Sequence, residues 1–307
     1  MAAKKRVLVL GVRGMLGYMV HRVLAASDTI DVQGTHRYDR EDPFYFDAEC
    51  GLGELAVLCD SSPGYDYFIN CIGILPGRIT ERDATTIRKA IKINSLFPHE
   101  LSAFAKARGI RAIHISTDGV FSGEAETYCE DDTPDGSDLY GITKNLGEVC
   151  DKHFLNVRCS IIGPSPFLGG GLMEWFLKQP AGAVVPGYTN QVWHGVSTYQ
   201  YGRLCLTIIE GNHFDELRKE SAVFHFAPNE PITKYELLCV FDQIFGKQVI
   251  VEARVSDQKT YKRVLHSKYQ GLRNIYTHGI PAATMVSELA LYMGKTDLGD
   301  TYARTVR

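Results

Sequence analysis

The 307-residue sequence contains no apolar run approaching the ~20 residues that a membrane-spanning helix requires. Its basic opening, Met1-Ala-Ala-Lys-Lys-Arg6, is followed only by the short run Val7 to Leu10 and then a glycine, which reads as a first strand and not as a signal peptide. The eight cysteines, at 50, 59, 71, 129, 150, 159, 205 and 239, include no CxxC pair and no metal-ligand spacing. No metal site is therefore expected, and most of the thiols should be reduced core residues of a soluble, cytoplasmic protein. No long basic run accompanies the net charge of −3, which argues against nucleic acid or an anionic membrane as the main partner and leaves small molecules and proteins. A Pro/Ser-rich linker, a low-complexity tract and a repeat of solenoid period are also lacking.

What the sequence does have is an alternation of short apolar runs with longer amphipathic stretches, the pattern of a parallel sheet covered by helices. Strands are expected at Arg6 to Leu10, Ile30 to Thr35, Tyr67 to Cys71, Ala112 to Ser116 and Phe154 to Cys159, with the last three placed after an intervening third strand, so that Tyr67 to Cys71 is the fourth and Ala112 to Ser116 the fifth. Met15, Leu16, Met19, Val20, Val23 and Leu24 recur near helical period, predicting a helix over Gly14 to Ala26, and Thr85 to Arg108 and Leu139 to Lys152 read as further helices. The second half is less regular and loop-rich at Pro164 to Gly171 and Pro180 to Asn190. The expected fold class is α/β, a doubly wound, Rossmann-like parallel sheet with a smaller C-terminal subdomain, and the change of role near residue 160 falls within one compact unit.

Four segments carry chemistry. Gly11, Gly14 and Gly17 sit between a predicted strand and a predicted helix, where glycine permits a tight turn and the helix N-terminus attracts a pyrophosphate. At the end of the second strand the chain reads Gly34-Thr-His-Arg37-Tyr-Asp39; Arg37, helped by Arg13, suits the 2′-phosphate of NADP, while Asp39 would instead suit the free ribose of NAD. Ser116-Thr117-Asp118 ends a strand, where ligands of open parallel sheets gather, and its hydroxyl either bonds a substrate carbonyl or caps the following turn. Tyr140 and Lys144, four residues apart, share a helix face, and a positive charge beside a phenol lowers a pKa that is otherwise near ~10.

In this order, with Asn70-Cys-Ile-Gly73, Ile93-Asn-Ser-Leu-Phe-Pro98, Ser116-Thr-Asp-Gly-Val-Phe-Ser-Gly123, Trp193-His-Gly-Val-Ser-Thr198, His225-Phe-Ala-Pro-Asn-Glu-Pro-Ile-Thr-Lys-Tyr235 and Arg263-Val-Leu265, the chain resembles an extended short-chain dehydrogenase/reductase of the dTDP-4-dehydrorhamnose reductase branch over nearly its whole length. The resemblance implies an NAD(P)H-dependent reductase, NADPH preferred, acting on a 4-keto sugar nucleotide. Residues 1–160 would bind the dinucleotide, with roughly 190–212 returning to that part, and 161–307 would mainly bind substrate; a homodimer is left open.

Tyr140 would be the proton donor, Lys144 would lower its pKa and hold the nicotinamide ribose, and Thr117 would orient the carbonyl. Gly14, Met15 and Leu16 would lie against the pyrophosphate, Asp47 and Ala48 would face adenine, and Cys71, Ile72 and Gly73 would run beside the cofactor. Asn94 would sit on the helix behind the site. Asp118, Trp193 and Arg263 would face substrate. Arg158 and Arg254 share with Arg263 the region of the nucleotide diphosphate, each with ion pairing as the alternative, and His114 and His194 read as ordinary hydrogen-bonded histidines. Where rhamnose-forming reductases carry Arg-Thr-Ser-Trp, this chain has Arg158-Cys-Ser-Ile161, which leaves the sugar open. An epimerase or dehydratase on the same scaffold, and a non-catalytic subunit like the beta subunit of methionine adenosyltransferase, are the alternatives.

Overall fold

The computed structural model describes residues 3–167, 169–257 and 262–294, so the end of the expected substrate-binding part, 295–307, lies outside the described residues. Its centre is a six-stranded, wholly parallel sheet built from β1 (Lys5–Leu10), β2 (Ile30–Thr35), β3 (Tyr67–Asn70), β4 (Arg111–Thr117), β5 (Phe154–Cys159) and β6 (Val223–His225), in the spatial order β6-β5-β4-β3-β1-β2. Neighbouring side chains of a strand point to opposite faces. Val7 and Val9 enter one apolar cluster and Leu8 and Leu10 another, so β1 is apolar from Val7 to Leu10 because both of its faces are covered there.

On the first face, α1 (Met15–Ala25) packs with the later helix Thr198–Glu210, and the two approach so closely that a Cβ on Gly202 would meet Val23 at 3.0 Å. The second face is covered by α2 (Gly53–Asp60), α3 (Ala84–Ala90) and α4 (Phe97–Ala107), whose Leu55, Ala90, Phe97 and Leu101 are buried. Between β4 and β5 lies α5 (Leu139–Leu146), and outside the sheet there are several two-stranded pairings. Among these, Thr127–Tyr128 pairs with Val264–Leu265, and Val184–Tyr188 with Ile250–Arg254. Among the described residues no helix is long and apolar enough to cross a membrane.

Three sequence expectations need correction. The sheet has no strand between β2 and β3, only a single bridge from His36 to Tyr45, so the Tyr67 and Ala112 segments are its third and fourth strands. The predicted helix over 85–108 is interrupted by a wide π-helical turn, Ile91–Leu96, which carries Asn94 and Ser95 inward. The helix from Leu139 ends at Leu146 and not at Lys152, because the next residues have other partners: the Val149 N–H donates to Asn156 Oδ1 and Glu148 turns to Arg158. The thiols are free, but Cys50 and Cys150 are exposed.

The end of α5 rests on the π turn with no room for a side chain: a Cβ on Gly147 would lie 1.9 Å from the Asn94 carbonyl oxygen. Gly147→Ala should therefore lower stability by at least the ~1–3 kcal/mol typical of overpacking, read as a lower thermal midpoint, whereas Gly77→Ala, at a site with open space, should not.

Candidate active site

The glycine turn is shaped by close backbone approach. Gly11 has φ +85°, and a Cβ there would meet Ile72 at 2.9 Å; on Gly17 it would lie 2.3 Å from the Gly11 carbonyl oxygen. The Gly14 N–H donates to that same oxygen at 3.0 Å, and Gly14 starts α1 with no side chain to satisfy the first-turn N–H groups. Such a helix start offers donors and a positive dipole end to an anion, and the cradle fits a dinucleotide pyrophosphate beside Gly14, Met15 and Leu16.

At its rim, the Arg13 guanidinium lies within cation–π distance of two half-exposed rings, 4.8 Å from the centre of Tyr38 and 5.2 Å from that of Phe167. Arg37 is half exposed and 3.7 Å from Glu49, which Lys89 also contacts. Asp39 accepts the Glu41 N–H and Asp47 the Glu49 N–H, so both carboxylates serve local turns. Ala48 is buried in the core beneath.

Beyond β3, Cys71 stays tied to β1 through its N–H to Leu10, and Asn70 Oδ1 accepts the Ile72 N–H at 3.1 Å. Asn94 binds both backbone groups of Ile74 (2.8 and 3.0 Å) and the Thr143 hydroxyl (3.2 Å), fastening the loop after Gly73 to α5.

The third part of the site is set by α5. Asp138 caps it, accepting the Gly141 N–H at 2.7 Å, and Gly141 sits against Gly119 so closely that the turn after β4 stacks on the first turn of the helix. Thr117 caps that turn, accepting the Gly119 N–H at 3.0 Å, and its hydroxyl also hydrogen-bonds the Tyr140 phenol. Burial pushes the Tyr140 phenol up to about 12, the Thr117 hydrogen bond acting against it. Lys144 is 3% exposed; its Nζ donates to the Ile115 carbonyl at 2.6 Å and lies 3.3 Å from His114 Nε2, and burial brings it down to about 8. Sequence reasoning expects a phenol lowered by Lys144; here burial dominates the phenol and the amine is turned toward β4.

Above Thr117, burial raises the Asp118 carboxyl, opposed first by the charge of Arg263, and Lys234 at the start of the helix Lys234–Phe245 belongs to the same charge group. Arg263 is held there because it precedes the strand Val264–Leu265, which pairs with Thr127–Tyr128. Arg158 lies elsewhere: it is buried in a bidentate pair with Glu148 (2.7 and 2.8 Å), and Glu148 also accepts from Ser116 at 2.5 Å. Arg254 is exposed and paired with Glu252. Trp193 is buried, its Nε1–H donated to Ser160 at 3.0 Å. His194 bridges two backbones, accepting the Leu265 N–H and donating to the Asn229 carbonyl.

With this geometry in place, the family described as RmlD substrate binding domain matches residues 5–265. The chain belongs to this family. The RmlD-type chain is 27% identical over 265 residues to methionine adenosyltransferase 2 subunit beta of Danio rerio, covering 79% of the chain and 74% of that protein. It is 26% identical over 268 residues to the "Probable low-salt glycan biosynthesis reductase Agl14" of Haloferax volcanii, covering 80% of the chain and 83% of that protein. The dTDP-4-dehydrorhamnose reductase of Bacillus anthracis, solved in complex with NADP, shares the fold with a TM-score of 0.75 at 17% identity, over 95% of this chain and 99% of that one.

Two residues of this RmlD-type site escape sequence reasoning. Lys234 has only a helix-start signal, the Thr233 to Glu236 capping box. His114 has none, because its importance comes from what three strands and a helix place around it.

Behind the site, the Glu148–Arg158 pair joins α5 to β5 with side chains only 6% and 5% exposed. Arg158→Met should cost ~3–5 kcal/mol by stranding a buried carboxylate, and adding Glu148→Gln should recover most of it; chemical denaturation of the two variants measures both.

Proposed function

We propose that the protein is an NAD(P)H-dependent reductase that converts the keto group of a nucleotide-linked 4-keto sugar to an alcohol. The observation that carries this reading is Thr117 hydrogen-bonded to Tyr140 at the carboxyl end of β4, with Lys144 one turn further along the same helix, in a chain whose glycine turn offers a pyrophosphate the open N-terminus of α1. The dinucleotide supplies a hydride to the carbonyl carbon. Tyr140 gives its proton to the carbonyl oxygen, and its high pKa keeps that proton in place until the oxygen becomes basic. Thr117 holds the oxygen, and Lys144 holds the ribose and offsets the phenolate left behind, which regains a proton from solvent.

Arg13 and Arg37 at the rim favour the 2′-phosphate of NADPH, with Asp47 and Ala48 beside the adenine and Cys71, Ile72 and Gly73 along the cofactor. Asp118, Trp193 and Arg263 belong to the substrate side, formed mainly by residues 161–307 while 190–212 returns to the dinucleotide-binding part. The reaction belongs in the cytoplasm, among steps that make deoxysugars for polysaccharides. The Haloferax reductase supports this reading. A second reading, a binding subunit, is favoured by the Danio relative.

Incubation with NADPH and a panel of UDP-, dTDP-, GDP- and CDP-linked 4-keto sugars should consume NADPH in step with alcohol formed. Turnover without consumption would mean an epimerase or dehydratase, and a stable partner without keto-reductase activity would mean a subunit. Tyr140→Phe should keep NADPH binding and lose ~10²–10⁴-fold in turnover. Tyr140 stays protonated across the working range, whereas Lys144 is charged below about 8 and neutral above it, so kcat/KM should fall as pH rises through that value.

A further inference from the structure

Three buried histidines flank the site, and two have one donor and one acceptor around the ring. His194 accepts from Leu265 N–H and donates to the Asn229 carbonyl; His225 lies 3.3 Å from Arg158 Nη1, which can only donate, and its Nδ1 lies 3.0 Å from the His266 carbonyl, which can only accept. Each is satisfied as a neutral ring.

His114, fully buried on β4, is different. The Asn70 amide is oriented by the Ile72 N–H on its Oδ1, so Nδ2, a donor, faces His114 Nδ1 at 3.0 Å. Nδ1 must accept, and a neutral ring then carries its proton on Nε2, which points at Lys144 Nζ 3.3 Å away. A charged Lys144 has only donors to offer, so the ammonium and the Nε2–H would face each other without an acceptor between them. A neutral amine has a lone pair for the Nε2–H and still donates to the Ile115 carbonyl. Turning the Asn70 amide over does not help, since its NH₂ would then face the Ile72 N–H.

We propose that His114 is a positioning residue that donates Nε2–H to the Lys144 amine and so sets the pH at which Lys144 becomes charged. This rests on Lys144 as the working cation of the proposed reductase. The other groups facing Lys144 are Cys71 beyond β3, Cys159 at the end of β5, and Glu148 just past the end of α5, already engaged by Arg158; burial raises both thiols, which keeps them neutral. His114 itself is faced by Lys144, by His99 of α4, by Asn70 and by the Phe154 ring at 5.5 Å. Burial and the Lys144 charge both hold the His114 ring well below its usual range, so it stays neutral while Lys144 titrates.

The test needs no turnover, so its outcome is independent of whether the reductase reading stands. In the full-length protein without added NADPH, nitrogen NMR of labelled histidine should show His114 as the neutral Nε2–H tautomer; the Nδ1–H tautomer overturns the proposal. Lysine side-chain NMR, with Lys144 assigned from Lys144→Met, gives its titration midpoint. In His114→Asn, whose amide reaches Asn70 but not Lys144, the midpoint should rise by at least about half a pH unit, an approximately threefold change in proton affinity. A midpoint that stays or falls overturns the proposal, because burial alone would then set it. If His114→Asn does not fold, the tautomer in the unaltered protein decides.

Discussion

An amine buried at the carboxyl edge of a parallel sheet is the constraint around which this structure is arranged. Removing an ammonium from water is costly unless its protons find acceptors or its charge is given up, and the surroundings of Lys144 provide one short hydrogen bond, to Ile115, and one neutral ring, that of His114. Holding the amine there requires α5 to lie flat against β4. That contact is made possible by missing side chains at Gly119, Gly141 and Gly147, and it is fixed by Asn94 and Ser95 from the π turn, which bind Thr143 through its hydroxyl and its carbonyl.

The same contact extends downward. One turn beyond Lys144, past the end of the helix, Glu148 meets Arg158 and Ser116, so the ion pair closes the underside of the site and the Arg158 charge is already engaged. Among the described residues Arg263 and Lys234 are cations beside Asp118, brought in respectively by the pairing of short strands and by a capped helix start from the second half of the chain.

Much of this was legible in the sequence, for physical reasons. β1 appears from Val7 as an unbroken apolar run because both of its faces are covered, and β2 and β5, although broken by polar residues, are bounded at Ile30 to Thr35 and Phe154 to Cys159 as expected. A glycine triplet between a strand and a helix has few other uses, and Tyr140 and Lys144 share a helix face by spacing alone. The π turn is invisible because Ile91 to Leu96 keeps a helical apolar period; the extra residue per turn is selected by what Asn94 must reach. The early end of α5 is likewise set by partners on β5, far along the chain. The direction of the Tyr140 shift was misread because spacing reveals a neighbouring charge but not the depth at which both groups are buried. His114 shows the limit most plainly, since its conflict of donors exists only when Asn70, His114 and Lys144 meet in space.

The stack of Tyr38, Arg13 and Phe167 joins parts of the molecule that arise far apart in the chain. Both rings lie within cation–π distance of the guanidinium, whose planar N–H groups are those with which arginine grips a phosphate. Phe167 belongs to the loop that runs into three consecutive glycines, Gly169 to Gly171, all with positive φ. An anion drawn to the Arg13 edge would therefore stiffen the clamp that steadies this loop, and a displaced loop would loosen the grip on the anion. By reciprocity, whatever anion affinity resides at Arg13 would rise and fall with the order of this loop.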